Sequence, residues 1–217
     1  MAIQIQGNSG TVQEVETATR AARVVLRPID YVSLGIYQHA MLSGVMAAGL
    51  AANSSIYQFR YGSANIALVK EIRFAAVNDG TAFAATSTTC SFQLQFARSF
   101  TAASGTGGTA GTLTGNNAKL RTSMATTGVS NIFISATGAI TAGTWTLDTD
   151  ALVTLVGTGQ GSGTNIIAPT SMFNPETESE HPIVLAQNEG LNIRASVAAT
   201  GTWRFGVSIK WAEVSTY

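Results

Sequence analysis

Large apolar residues recur at every second position in two stretches of the chain. Phe92, Leu94 and Phe96 alternate with Gln93 and Gln95, and Trp203, Phe205, Val207, Ile209 and Trp211 alternate with Arg204, Ser208 and Lys210. A period of two sends one set to each face of an extended chain, so both stretches predict half-buried antiparallel strands. Around them, β-type runs at 56–61, 66–77, 132–135, 166–168, 183–185 and 191–197 are each closed by small or turn-forming residues. With 89–100 and 202–214 that makes eight strands and no helical pattern between them. The expectation is an all-β fold, a jelly roll or β-sandwich with long loops.

The beginning of the sequence reads differently. Ile3, Gln4, Ile5 and Gln6 alternate and then run into Gly7, Asn8, Ser9 and Gly10, the pattern of an extended N-terminal arm on a hinge that offers a strand to a neighbour. From 12 to 26 the positions Val12, Val15, Thr19, Ala22 and Leu26 fall at helical spacing, with Glu14 and Glu16 early and Arg20, Arg23 and Arg27 late, a polarity that suits a helix dipole. Val24, Val25 and Leu26 ahead of Pro28 favour strand instead, so any helix there is short. Two segments follow: an extended arm at 1–20 and a single β-sandwich domain at 21–217. Within the domain, 101–128 is too poor in large apolar residues to build a core and too long for a hairpin, so it is a long excursion that orders on its own sheet or on a partner. The stretch 157–163 reads as a flexible tip.

Composition sharpens the picture. Of 217 residues, 101 are Ala, Thr, Gly or Ser and only 11% are charged, with 3 Lys and 8 Glu. Solvated helices draw on Glu, Lys and Arg for their outer faces, so mostly-helical classes are excluded. Lys plus Arg and Asp plus Glu are both 12, giving zero formal charge. A phosphate-binding protein needs a basic surplus, so nucleic acid is not the expected partner. Zero net charge also removes the repulsion that opposes self-association, which points to an oligomer or an assembly component. No signal-peptide pattern leads the sequence, and its most apolar window, 40–52, is too short to cross a bilayer. Folding in a cytoplasm with no membrane partner is expected.

Candidate chemistry is sparse. Gly105, Gly107 and Ala110 spell a dinucleotide fingerprint, but the helix that must open behind it is missing, and the segment reads as a loop. The usual hydrolase, NTPase and metalloprotease signatures are absent. His39 sits in an apolar run and is expected to be a packed, hydrogen-bonded core residue. His181 closes an acidic loop of Glu176, Glu178 and Glu180 between Pro175 and Pro182, which could hold a divalent cation or simply face solvent. Asp148 and Asp150 read as turn residues. Cys90 shares the parity of Phe92 and Leu94 and belongs in the core, with no base beside it to make it a nucleophile. Trp203 and Trp211, with Tyr217, suit core or subunit interface more than a sugar-stacking platform. Neither catalytic nor metal-ligating residues are expected, and no cofactor. The residues chosen as binding residues of the assembly arm are Ile3, Ile5, Val12 and Val15.

Several stretches are similar to the capsid cement, or decoration, proteins of tailed bacteriophages. They are Gln13, Glu14 and Val15, Arg20 with Arg23, and Leu26 with Arg27 and Pro28; then 114–124 (TGNNAKLRTSM), 181–190 (HPIVLAQNEG) and 201–206 (GTWRFG). The resemblance implies a jelly-roll or β-sandwich protein, commonly a homotrimer, made in the host cytoplasm. It would sit on the virion's capsid surface, bind the major capsid protein and stabilise the shell against internal DNA pressure, without enzymatic activity. The alternative from another class is a head-fibre or tail receptor-binding, lectin-like module that uses the loops around 101–128.

Overall fold

A computed structural model describes residues 34–47, 49–79, 87–103, 106–141, 143–161, 165–175 and 181–215. The expected arm, with Ile3, Ile5, Val12 and Val15, lies outside the described residues. Two antiparallel sheets pack face to face, and twelve strands build them: β1 (Gly35–Leu42), β2 (Ser54–Tyr61), β3 (Ile66–Asn78), β4 (Thr88–Ala102), β5 (Gly108–Ala110), β6 (Val129–Ser135), β7 (Thr144–Leu147), β8 (Val153–Gly159), β9 (Asn165–Phe173), β10 (Ile183–Leu185), β11 (Glu189–Ser196) and β12 (Trp203–Val214). The five-stranded sheet runs β1-β12-β3-β10, with β9 also on β3; the seven-stranded sheet runs β5-β6-β2-β11-β4-β7, with β8 also on β4. The all-β, two-sheet expectation holds.

The core lies between the sheets and follows the alternation. On β12, Trp203, Phe205, Val207, Ile209 and Trp211 face inward, against Phe59, Phe74, Phe92 and Ile193 of the surrounding strands. A bulge skips one residue of β3 opposite the step from Lys210 to Trp211. Trp211 stacks on Tyr37 at 5.5 Å between ring centroids and meets Phe59 of the opposite sheet edge-on at 5.2 Å. Such offset and edge-to-face geometries suit the ring quadrupoles.

Both borders of the sandwich are closed by unlike devices. At one, the long excursion leaves β5, runs along β1 and returns to β6. The Gln38 amide donates to the Ala118 carbonyl and Tyr37 bridges to Lys119. At the other, β8 and β9 meet where a Cβ on Gly157 would come within 2.1 Å of the Ile166 carbonyl oxygen. Only glycine allows that approach. Gly157 and Gly159 therefore belong to β8, which corrects the expectation of a flexible tip starting at 157; residues 162 and 163 of that stretch lie outside the described residues.

The outer face of the seven-stranded sheet is also partly covered. Ser99, at φ 51°, interrupts the β4–β7 ladder between Arg98 and Ala102, and beyond it Phe100 lies over Gly190, whose Cβ would fall 2.8 Å from the Phe100 Cδ1. Phe100 packs edge-on against Trp145 at 4.8 Å. Gln58, Asn192 and Gln95, neighbours across three strands, are all buried on that face. Arg194 donates to the Gln95 side-chain oxygen and the Asn192 amide donates to Ser55, which offsets part of the cost of burying polar groups.

Candidate functional site

The outer face of the five-stranded sheet divides into three bands because pairing places like residues side by side. Ile36, Ala212, Leu68 and Val184 lie in register across four strands, with Ile66 beside Val214. They form a second apolar cluster, separate from the main core, in which Leu68, Ala212 and Val214 are buried. Next comes a polar belt of Gln38, Lys210 and Glu71, the last paired with Arg73 at 2.6 Å. Beyond it Leu42, Gly206 and Ala75 align, flanked by Ala40 on β1 and Pro169 on β9. These side chains leave a shallow trough of about 430 Å³, whose lining also includes Arg73 and Ser208 at the side of the polar belt. Leu42, one of its lining residues, is 64% exposed, and Val45, three residues further along the chain, is 38% exposed. An apolar floor with aliphatic side chains at its margin is a surface that gains free energy when another surface covers it.

The sequence-chosen residues fall out as follows. Cys90 is fully buried and its thiol is pushed up by burial, which suits a core residue and not a nucleophile. Trp203 and Trp211 are fully buried, so neither ring offers a stacking surface. His39 lies on β1 facing the Gly111 turn of the excursion and is only half-buried. Its Nδ1 is buried without a hydrogen-bond partner, so the expectation of a hydrogen-bonded core histidine needs correction; β1 is a border strand and cannot enclose the ring. Burial lowers its pKa. His181 is exposed and its Nδ1 lies 2.8 Å from the Pro182 carbonyl oxygen, while Glu176, Glu178 and Glu180 lie outside the described residues. Asp148 and Asp150 follow β7 in a turn, and Asp148 receives two hydrogen bonds from Arg98. Arg98 also reaches Glu189 at 2.7 Å and sits over the Phe96 ring at 4.1 Å. Among the described residues no group of three or more His, Cys, Asp or Glu is placed to hold a metal ion, and no helix is long and apolar enough to cross a membrane.

One buried charge escaped the sequence reading. Glu213 is 2% exposed and accepts hydrogen bonds from the Trp211 indole at 3.0 Å, the Gly128 amide at 2.9 Å and the Thr127 hydroxyl. It ties the return of the excursion to the last strand of the core. Only the break in alternation, a Glu at the inward parity of β12, could have flagged it. The same carboxylate acts on two phenols: burial first and Glu213 second push Tyr37 up to about 12 and Tyr61 higher still, and burial alone raises Tyr57. An acid whose folded pKa is raised stays neutral while the unfolded chain ionises, so its contribution is intact below the ordinary value near 10 and is lost as pH climbs above it. Thermal midpoints are therefore expected to fall steeply above about pH 10, with phenolate absorbance rising in step with unfolding. Phenolate absorbance complete before any unfolding would contradict the burial of these rings.

The fold and this surface define an all-β sandwich with an exposed apolar face and no assembled catalytic cluster among its described residues. The chain matches no protein-family model and no curated protein.

Proposed function

We propose that the protein is a structural component of a tailed-phage virion, a decoration protein that seats on the shell of major capsid protein and stabilises it against the pressure of packaged DNA. The observation that carries this reading is the trough on the five-stranded sheet, where Ala40, Leu42, Ala75, Pro169 and Gly206 present carbon to solvent across four strands. A cement protein acts by covering surface on neighbouring subunits, and many modest contacts add because each raises the effective concentration of the next. A surface poor in charge also keeps such contacts insensitive to salt. The two-sheet sandwich agrees with the fold that the sequence resemblance implies, and the self-associating, trimeric form proposed with it gives one particle several such faces.

Co-sedimentation with emptied capsids tests the reading. The native chain is expected to pellet with them, and Leu42→Glu to weaken binding by about tenfold or more, as truncation of a buried anchor does. Because Leu42 is mostly exposed, that variant keeps the native melting profile. A native chain left in the supernatant would overturn the assignment.

A further inference from the structure

The edges of the two sheets are not equally protected. β5 and β10 have three residues each and β7 has four; the outer edge of β1 is occupied by the excursion at Ala118 and Lys119; β9 carries Pro169 and repeated register shifts. Short length, proline, bulges and covering loops are the usual means of keeping an edge from pairing. Among the described residues β8 carries no proline and no register shift, and β9 of the facing sheet meets it at Gly157. β8 runs for seven residues, its one ladder partner among the described residues is β4, and from 151 to 161 the chain (ALVTLVGTGQG) carries no charge and no proline. Its inward residues Val153 and Leu155 pack on the core yet stay half-buried, and Val156 is 64% exposed. Beyond β4, no further strand among the described residues pairs with it.

We propose that β8 is the acceptor edge for residues 2–6 of a second copy of this chain, which add to the seven-stranded sheet as a further antiparallel or parallel strand. Side-chain rows argue for that occupant. Phe92 pairs with Leu155 and Leu94 with Val153 on the core face, while Gln93 pairs with Thr154 on the outer face. The segment Ala2-Ile3-Gln4-Ile5-Gln6 has the matching alternation and no charge: Ile3 and Ile5 extend the apolar rows and complete the burial of Val153 and Leu155, and Gln4 extends the row of Gln93 and Thr154. Main-chain hydrogen bonds supply the attraction and the alternating side chains set the face. Position argues for a second copy. Leu34 leads into β1 at one border of the sandwich, and β8 lies at the opposite border. Twenty-seven residues separate Gln6 from Leu34, a reach of up to about 90 Å when extended, so a head-to-tail donation from β1 border to β8 border is within range. Contacts of that kind close into rings, a trimer among them.

Crosslinking of the full chain in solution tests this without capsids, so its outcome is separate from that of capsid binding. A Gln4→Cys chain and a Thr154→Cys chain are mixed under oxidised glutathione; native Cys90 is buried and stays out of the reaction. Disulfide-linked pairs of one chain of each kind are expected as the main product, with Gln4→Cys against Val156→Cys as the neighbouring register. Independently, Ile3→Lys with Ile5→Lys is expected to turn the oligomer into monomer in mass photometry while near-ultraviolet circular dichroism stays native. No mixed pair in either register, or an oligomer that survives the double lysine variant, would overturn the proposal. So would a chain carrying both cysteines whose disulfide stays within one chain at every dilution, because the acceptor would then take its own segment.

Discussion

Replacing Trp211 by alanine is expected to remove about 4 kcal/mol of stability, the usual range for deleting a buried indole. The residue is fully buried, stacks on Tyr37 of its own sheet, touches Phe59 of the facing sheet and donates its indole N–H to Glu213. One substitution therefore opens a cavity between the sheets and leaves a buried carboxylate short of a donor. A domain of this size holds about 5–15 kcal/mol in all, so the variant sits near its unfolding limit at ordinary temperature. Trp211→Phe keeps the ring contacts and loses the hydrogen bond, and is expected to fall between the two. Denaturant titration measures both; a loss under about 1 kcal/mol for the alanine variant would mean that the inter-sheet packing is not as described.

Glu213→Ala is expected to cost about 3 kcal/mol, because the hydroxyl of Thr127, the amide of Gly128 and the indole of Trp211 all lose their acceptor at once and an orphaned buried donor costs about 1–3 kcal/mol. Gln in its place retains one oxygen and is expected to restore part of the loss. The distinguishing signature is local. Amide exchange at Gly128 and Val129 should accelerate more than exchange in β4 or β11, since the carboxylate is what anchors the return of the excursion to β12. Uniform acceleration across the sandwich would assign Glu213 to the core alone and remove its role as an anchor.

The legible part of this fold is the part where alternation is built from large residues. Phe92 and Leu94, and the five inward residues of β12, announced their strands because a buried face needs bulk at every second position. β8 has the same alternation in Val153, Leu155 and Gly157 against Thr154, Val156 and Thr158, but Thr and Gly carry little hydrophobic contrast, so its end reads as a flexible tip. β1 shows no clear apolar alternation because His39 occupies an inward position between Tyr37 and Met41, which a border strand tolerates. Phe96 shares the parity of Phe92 yet is only half-buried; Arg98 over its ring supplies the cover that the facing sheet does not. The trough was illegible in principle, since it is made of Ala, Gly and Pro brought into register by pairing between strands far apart in sequence. No local pattern records such a register.

That register also orders the assembly of the molecule in time. β12 lies between β1 and β3 and is the ladder partner of both, so the five-stranded sheet has no continuous middle until residues 203–214 have been synthesised. Until then β1 and β3, with their apolar inward faces, wait on the ribosome without the strand that joins them, while β2 and β4 wait for β11, which arrives only shortly before. Pairings of such long sequence separation form slowly, and strands held open in the interval are where nascent chains meet one another. The two sheets are thus expected to close only once β12 has been made, and the yield to be sensitive to chaperone supply and to temperature during expression well before the native state is at risk.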